Sequence, residues 1–223
     1  MTRRRIIIVD DHPLFRTALR HTLADGDPSI VVEEAGSLDG VSAALEADRD
    51  CDLVLLDLNM PGVRGFSGLL LLRAQYPDIP VLIISAVEEG HIVRRAFELG
   101  AAGYLHKSVS PPEIRRAIET VLAGDVFVPD GADLPADDAQ SALMQRLSTL
   151  TPQQVRVLMM LSDGLMNKQI AYELSISEAT VKAHVSAILQ KLDVDSRTQA
   201  VIAAARIEDG QFEALFSTGA EQA

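Results

Sequence analysis

The chain has 223 residues, of which 48% are hydrophobic, and carries a formal net charge of −12. This apolar content predicts a globular protein rather than a disordered one, and the length allows one large domain or two ordinary ones. No apolar run reaches the roughly 18 residues that a membrane span needs, so no membrane partner is expected. The single cysteine, Cys51, excludes an intramolecular disulfide and favours a cytoplasmic protein.

The acidic charge is unevenly distributed along the chain. Residues 148–206 carry six basic and five acidic side chains, whereas every other part of the chain has more acids than bases. Because non-specific binding to DNA is mostly electrostatic, the acidic flanks should suppress it. The segment 148–206 is therefore the best candidate for contact with nucleic acid.

Residues 1–124 alternate short apolar runs with segments of helical periodicity. The β-branched, uninterrupted runs are typical of strands buried on both faces of a parallel sheet. The predicted strands are 5–9, 30–32, 53–56, 81–84 and 103–105, and the helices between them include 13–24, 66–75 and 111–123. Ser110 and Glu113 predict a capping box at the last of these helices. Five βα units predict a doubly wound α/β domain with the strand order 2-1-3-4-5.

Four of the predicted strands end on residues that can do chemistry. The first is followed by Asp10 and Asp11, the third by Asp57, the fourth by Ser85 and the fifth, after His106, by Lys107. Ligands of open α/β sheets collect beyond the carboxyl ends of the strands, so these side chains predict one site. Acids there suit Mg²⁺, and a lysine can neutralise a phosphoryl group. Taken alone, the acidic pair could instead cap the next helix, and the lysine could be an ordinary surface residue.

These residues, together with the Met-Pro-Gly run at 60–62, resemble the receiver domain of bacterial two-component response regulators over residues 5–124. The resemblance implies that Asp57 accepts a phosphoryl group from a sensor histidine kinase. It also implies the ligands of Mg²⁺, which are Asp10, Asp11, Asp57 and the backbone carbonyl of Asn59.

The same resemblance implies the residues that hold the phosphoryl group. Lys107 and Ser85 would contact its oxygens. Ser85 and Tyr104 would form a switch pair, in which the hydroxyl moves towards the phosphoryl group and the aromatic ring turns inward behind it. On its own, Tyr104 could also be a packing aromatic.

A rival chemistry also uses aspartyl phosphate. Haloacid-dehalogenase-type phosphatases place a second acid two residues after the nucleophile, and here that position is Asn59. An amide cannot transfer a proton as a carboxylic acid does. The sequence therefore predicts a protein that is not an enzyme, whose chemistry is limited to phosphorylation and autodephosphorylation of Asp57.

The composition changes after residue 124. Residues 125–147 contain five aspartates with glycine and proline and are interpreted as an acidic linker, of which 139–147 is predicted to be helical. Residues 148–206 show helical signals without a strand, and residues 207–223 form an acidic C-terminal tail.

The segment 148–206 is predicted to be a small all-α domain of four helices, with N-caps at Thr151, Ser177 and Ser196. Its third helix, 178–192, has one apolar face and an opposite face of small side chains with a single cation. Such a slim surface can enter the major groove of DNA, in a helix-turn-helix with the preceding helix. Periodicity alone also fits an ordinary solvated helix.

Residues 150–205 are similar to the LuxR-type DNA-binding domain of NarL/FixJ-type regulators. The matching runs include Asn167-Lys168, Thr180-Val181-Lys182, Lys191-Leu192 and the Arg-Thr-Gln-Ala of 197–200. The similarity implies that base edges are contacted by Lys182, Ala183 and Ser186. It implies that phosphates are contacted by Thr180, Lys168 and Lys191.

Two further roles follow from the similarity. By this similarity, His184 would contact the DNA backbone or support the helix. The final helix, 198–206, would serve dimerisation, with Ala203 and Ala204 permitting close packing. Many relatives have Arg-Glu where Gln153-Gln154 stands, so ion pairs formed there in relatives are missing. Shape readout of DNA is expected to supplement the single base-reading cation.

Together the two resemblances predict a response-regulator transcription factor. Phosphorylation of Asp57 by a histidine kinase, dependent on Mg²⁺, is expected to release the helical domain. Homodimerisation and binding to an inverted-repeat operator in double-stranded DNA should follow, with RNA polymerase as a further partner. The alternative is a DNA-binding regulator that acts independently of phosphorylation and has a vestigial or partner-controlled receiver.

Overall fold

A five-stranded parallel sheet lies at the centre of the first domain. The computed structural model describes residues 3–24, 27–61, 63, 65–131 and 139–208. The strands are β1 (Arg4–Val9), β2 (Ile30–Ala35), β3 (Leu53–Leu56), β4 (Val81–Ser85) and β5 (Gly103–His106). Their order is β2-β1-β3-β4-β5, which confirms the predicted topology.

Helices cover both faces of this sheet. They are α1 (Pro13–Ala24), α2 (Leu38–Ala47), α3 (Ser67–Gln75), α4 (Gly90–Glu98) and α5 (Pro111–Leu122). Successive side chains of a strand point to opposite faces, so each strand serves two apolar layers. In β1, Ile6 and Ile8 belong to one layer, whereas Ile7 and Val9 belong to the other. This arrangement explains why the strands read as uninterrupted apolar runs.

The register of the sheet brings the predicted site residues to one edge. Val9 lies opposite Leu56, and the N–H of Asp57 donates to the carbonyl of Val9 at 2.9 Å. Ser85 lies opposite His106 in the pairing of β4 with β5. The chain therefore leaves all four strands at the same level, where the acids, the hydroxyl and the lysine follow.

The start of α5 differs from its prediction. Ser110 is the N-cap, but its side chain accepts no hydrogen bond from the helix. Pro111 and Pro112 have no N–H to offer, and the N–H of Glu113 donates to the Ser110 carbonyl at 3.0 Å. The predicted capping box is wrong because the prolines and this backbone bond leave the hydroxyl without a donor.

The first part of the predicted linker pairs with the sheet. Phe127 forms a parallel bridge with Gly103, its N–H donates to the Ala102 carbonyl at 3.0 Å, and its carbonyl accepts from Tyr104 N–H at 3.3 Å. The Phe127 ring is buried, with the Arg116 guanidinium 5.3 Å from its centroid. Burial of this ring on the open edge of β5 extends the receiver domain beyond its predicted end.

The second domain is entirely helical. Its elements are α6 (Ala139–Ser148), α7 (Pro152–Ser162), α8 (Asn167–Glu173), α9 (Glu178–Leu192) and α10 (Arg197–Glu208). Thr151 forms the predicted capping box with Gln154, and the hydroxyls of Ser177 and Ser196 accept N–H groups of α9 and α10. Because α6 and α7 contact α3, and α6 also contacts α4, this unit packs against the receiver.

Several predicted features lie outside the described residues. They are the turn at Asp25-Gly26, Gly62 of the loop after Asp57, the middle of the acidic linker (132–138) and the acidic tail from residue 209 onward. In the described part of the chain, no helix combines the length and the apolar character that crossing a membrane requires.

Candidate phosphoryl site and nucleic-acid interface

A lysine bridges two buried carboxylates at the carboxyl edge of the sheet. Asp10 and Asp57 are fully buried, directly after β1 and β3. Lys107, which follows β5, places Nζ 2.7 Å from Asp10 Oδ2 and 2.9 Å from Asp57 Oδ2. The Phe15 ring of α1 lies beneath this ammonium, 4.8 Å from Nζ to the centroid. The predicted meeting of residues from three strand ends is thus realised.

The pKa values of Asp57 and Lys107 reflect this environment. Burial raises the pKa of Asp57 above its ordinary value, although hydrogen bonds from Lys107 and from the Asn59 N–H act to lower it. Burial acts to lower the pKa of Lys107, but the hydrogen bonds and charges of Asp10 and Asp57 outweigh this effect and raise it. Lys107 is therefore firmly cationic. The charged form of Asp57 is disfavoured by its poorly hydrated position.

Four side chains form a group that can hold a metal ion. Asp10, Asp11, His12 and Asp57 have ligand atoms within 4.8 Å of one another. His12 Nδ1 lies 2.8 Å from Asp11 Oδ1 and 3.1 Å from Asp10 Oδ1. Sequence reasoning missed His12, although its place directly after an acidic pair was a usable signal.

The predicted switch residues meet at Val87, just beyond the end of β4. Ser85 is fully buried, and its hydroxyl oxygen accepts the Val87 N–H at 3.3 Å. Tyr104 is also buried, and its hydroxyl donates to the Val87 carbonyl at 2.7 Å. Burial raises the pKa of Tyr104 to about 12, while a hydrogen bond with Ser85 acts to lower it. The Tyr104 ring is thus buried, and its switch role with Ser85 stays a prediction.

The helix α9 exposes most of the residues expected to contact DNA. Thr180, Lys182, Ala183 and Ser186 on α9 are exposed, as is Lys168 on α8, whereas His184 is only partly exposed. Lys182 Nζ lies 3.0 Å from Glu178 Oε1, one turn earlier on the same exposed surface. The opposite face is buried through Val181, Ile188 and Leu192. A polar face of small side chains is thus presented to solvent.

Lys191 is engaged within its own domain. Its Nζ lies 2.7 Å from the Thr149 carbonyl and 2.8 Å from Gln154 Oε1. Gln154 also receives the Thr151 N–H at 3.0 Å, so this amide serves both the cap and the lysine. The predicted phosphate contact of Lys191 stays a prediction, but in this structure its ammonium binds two oxygens, one of them on α7, that hold it within the domain.

The predicted dimer residues of α10 are interior. Ala203 is 6% exposed and Ala204 is fully buried, on the side of α10 that packs against α7 and α9. Their small side chains allow α10 to approach other helices of the same domain closely, not a helix of a second copy. Assigning the dimer contact to these two alanines is therefore wrong; among the α10 side chains that the structure describes, Ile202 is a large apolar one that is exposed, at 45%.

Comparison with known proteins identifies both halves of the molecule. Residues 6–119 match the response regulator receiver domain, and residues 148–204 match the bacterial regulatory proteins of the luxR family. The glycerol metabolism activator of Pseudomonas putida is 43% identical over 213 residues, which cover 92% of this chain and 96% of that protein. The chain belongs to the LuxR family of response regulators. This LuxR-family response regulator is a transcriptional regulator with a receiver domain and a DNA-binding domain.

Other relatives agree with this assignment. The nitrate/nitrite response regulator NarP of Escherichia coli K12 is 39% identical, over 89% of this chain and 93% of that protein. A LuxR family DNA-binding response regulator from Silicibacter pomeroyi superposes with a TM-score of 0.52 at 34% identity, covering 57% of this chain and 98% of that one. RcsB from Salmonella enterica serovar Typhimurium, bound to a promoter, superposes with a TM-score of 0.55 at 20% identity. The superposition covers 92% of this chain and all of that one, which shows the shared fold.

Proposed function

We propose that Asp57 accepts a phosphoryl group from a sensor histidine kinase in a Mg²⁺-dependent reaction. The supporting observation is a buried carboxylate at a strand end with the Lys107 ammonium 2.9 Å away. In the transfer, a carboxylate oxygen of Asp57 bonds to phosphorus while the bond from phosphorus to the kinase histidine nitrogen breaks. The leaving nitrogen keeps the bonding electron pair and takes up a proton, and Lys107 balances charge on the phosphoryl oxygens.

The residues around Asp57 fit a hard divalent cation. Asp57 Oδ1 is buried and has no hydrogen-bond partner among the residues that the structure describes. The proposed ligands are oxygens of Asp10, Asp11, Asp57 and the Asn59 carbonyl, the chemistry that Mg²⁺ prefers. His12 would support the acidic pair rather than coordinate, since imidazole suits softer metals. Bound Mg²⁺ supplies positive charge next to the phosphoryl oxygens.

The phosphoryl group is proposed to act as a signal rather than as an intermediate of turnover. Asn59, two residues after the acceptor, offers no acid to a leaving group. Ser85 and Tyr104 are proposed to respond to the phosphoryl group, since the Ser85 hydroxyl lies at a neighbouring strand end and the Tyr104 ring packs behind it. The chain is accordingly proposed not to be an enzyme for an external substrate.

The output is proposed to be paired binding to double-stranded DNA by two copies of the chain. The face of α9 that carries Lys182, Ala183 and Ser186 is exposed while α7 packs on α3. Uncovering α9 is therefore not needed, and phosphorylation is proposed to change the α3–α7 contact and to favour a homodimer on an inverted repeat. Contact with RNA polymerase would follow at the promoter.

A direct test uses the full chain with Mg²⁺ and acetyl phosphate as the phosphodonor. Intact mass should show one added phosphoryl group, which Asp57→Asn should lack. Phosphorylated wild type should shift towards dimers and bind promoter DNA more tightly, as measured by light scattering and anisotropy. Phosphorylation without any change in dimerisation or binding would instead support the phosphorylation-independent regulator. No added mass on wild type would contradict the proposed acceptor role.

A further inference from the structure

Two side chains on one face of β5 hold the connection between β4 and α4. Tyr104 and His106 are two positions apart, so they point to the same side of the strand. Both reach the segment 86–88, which we name the switch loop because it directly follows Ser85. Tyr104 binds the middle residue of this loop through the Val87 carbonyl, at 2.7 Å.

His106 donates to the first residue of the switch loop and lies in contact with the last. Its Nε2 lies 3.0 Å from the Ala86 carbonyl oxygen, and its Nδ1 lies 3.0 Å from Glu88 Oε1. Ser108 contacts the same Nδ1 through its hydroxyl and its N–H. A carbonyl oxygen can only accept, so Nε2 carries the hydrogen in the bond to Ala86. With the hydrogen on Nε2, Nδ1 accepts the Ser108 N–H, so both ring nitrogens are engaged, which distinguishes His106 from a solvated histidine.

The position of the Ala86 carbonyl bears directly on the phosphoryl site. Ala86 is bonded to Ser85, which lies opposite His106 in the β4–β5 register, and the Lys107 N–H donates to the Ser85 carbonyl at 2.7 Å. The backbone is therefore held by residues 106 and 107 at Ser85 and at the residue that follows it. A loop free to tilt at Ala86 would move the Ser85 hydroxyl relative to Asp57.

We propose that His106 is a positioning residue for phosphoryl transfer, which holds the Ala86 carbonyl so that the Ser85 hydroxyl faces the group on Asp57. The inference rests on the proposed phosphorylation of Asp57. His106 itself touches neither Asp57 nor the phosphoryl group and acts through the switch loop. Tyr104 and His106 then form two adjacent hydrogen bonds on this loop, of which His106 acts nearer to Ser85.

The test compares three substitutions in the full chain. His106→Leu removes the hydrogen bond, whereas His106→Gln places an amide N–H about as far from the backbone as Nε2. His21→Leu changes an exposed histidine of α1 and is the matched control. We expect His106→Leu to lower the initial rate of phosphorylation by acetyl phosphate and Mg²⁺ about three- to tenfold, the size of one hydrogen bond. His106→Gln should recover most of the rate, and His21→Leu should match wild type.

Coupling to Ser85 separates positioning from a general effect on folding. If His106 acts through the Ser85 hydroxyl, His106→Leu should change the rate less than twofold in a Ser85→Ala background. A rate of His106→Leu equal to wild type would overturn the inference, as would equal losses in both backgrounds or a failure of Gln to restore the rate. If Leu prevents folding, His106→Thr, too short to reach Ala86, replaces it. Failure of wild type to gain phosphoryl mass would instead overturn the proposed function.

Discussion

The two domains hold their positive charges in opposite ways. In the receiver, the Lys107 side chain is 17% exposed and its ammonium contacts the carboxylates of Asp10 and Asp57. On α9, the Lys182 side chain is 65% exposed, and its ion pair with Glu178 is open to water. Charge contacts are strong where water is excluded and weak where it is not. Lys107 is therefore committed to its own domain, whereas Lys182 remains available to an external anion.

This difference predicts two kinds of mutational effect. A buried charge acts through fixed geometry, so its removal should change the chemistry of the site with little dependence on salt. An exposed charge acts by attracting phosphates and releasing counterions, so its removal should change affinity and the salt dependence of binding. Substitutions in matched pairs, one in each domain, can test this division.

The largest expected effect is that of Lys107→Met. The substitution keeps an unbranched side chain over the Phe15 ring but removes the charge that faces Asp10 and Asp57. Loss of one preorganised electrostatic contact costs about 100-fold in rate. The initial rate of phosphorylation by acetyl phosphate, followed by intact mass, should fall by that factor. Lys182→Met is the matched control and should phosphorylate as wild type does; a loss below threefold for Lys107→Met would contradict the assigned role.

The next effect compares two glycines that are needed for different reasons. A Cβ on Gly103 would lie 2.5 Å from Leu82 Cδ1 and 3.0 Å from the Phe127 carbonyl. Gly103→Ala should therefore lower the free energy of unfolding of the receiver by about 2–3 kcal/mol through overpacking. Gly164 in the helical domain has a φ of +80° and open space, so Gly164→Ala should cost about 1 kcal/mol through its backbone alone.

Urea denaturation monitored by circular dichroism checks this pair. Gly90→Ala is the control, because a Cβ there meets no atom within 4 Å and the residue starts a helix. It should change stability by less than about 1 kcal/mol, in the stabilising direction. If Gly103→Ala were as mild as the control, the packing of Phe127 on the edge of β5 would be in doubt.

The phosphoryl site could be predicted because strand ends are fixed by the sheet. Asp10, Asp57 and Lys107 each follow a strand, and parallel pairing brings such positions together whatever the details of packing. Phe15 escaped prediction because it lies on α1, and the direction of a helical side chain depends on how the helix packs. His12 was missed although it adjoins the acidic pair.

The helical domain was less predictable in its details. The caps at Thr151 and Ser177 are local signals and are confirmed. Whether Lys191 meets DNA or its own domain depends on the partner that packs beside it, here Gln154, which periodicity cannot reveal. The alanine-rich sequence of α10 carries little contrast between faces, so the burial of Ala203 could not be read from it.

The charge of Asp57 is expected to reduce the stability of the metal-free protein at neutral pH. Burial raises the pKa of Asp57 on folding. The stabilisation from a carboxyl of this kind is complete below its ordinary pKa and is lost as the pH rises through the raised value of the folded state. At about pH 7, Asp57→Asn should therefore unfold with a free energy higher by about 1–2 kcal/mol, as when a buried ion is replaced by a neutral group.

The sign of this effect can be checked by lowering the pH. Towards about pH 4 wild-type Asp57 becomes protonated, so the advantage of Asp57→Asn in urea denaturation should shrink. Glu178→Gln on the exposed face of α9 is the matched change and should alter stability by less than about 0.5 kcal/mol at either pH. An advantage of Asp57→Asn that grows as the pH falls would contradict the sign derived from burial.

The smallest expected effects distinguish two lysines of α9. Lys182→Gln should weaken binding of the phosphorylated chain to a selected promoter duplex about five- to tenfold and reduce the slope of log affinity against log salt by about one. Lys191→Gln should leave that slope nearly unchanged and lower the free energy of unfolding by about 1 kcal/mol, because its ammonium binds the Thr149 carbonyl and Gln154. Anisotropy titrations at several salt concentrations measure the slopes. Equal slopes for the two variants, both below wild type, would place Lys191 among the phosphate contacts despite its intramolecular bonds. Distinct slopes would mean that exposure of the lysine, rather than its position on α9, decides whether it contacts DNA.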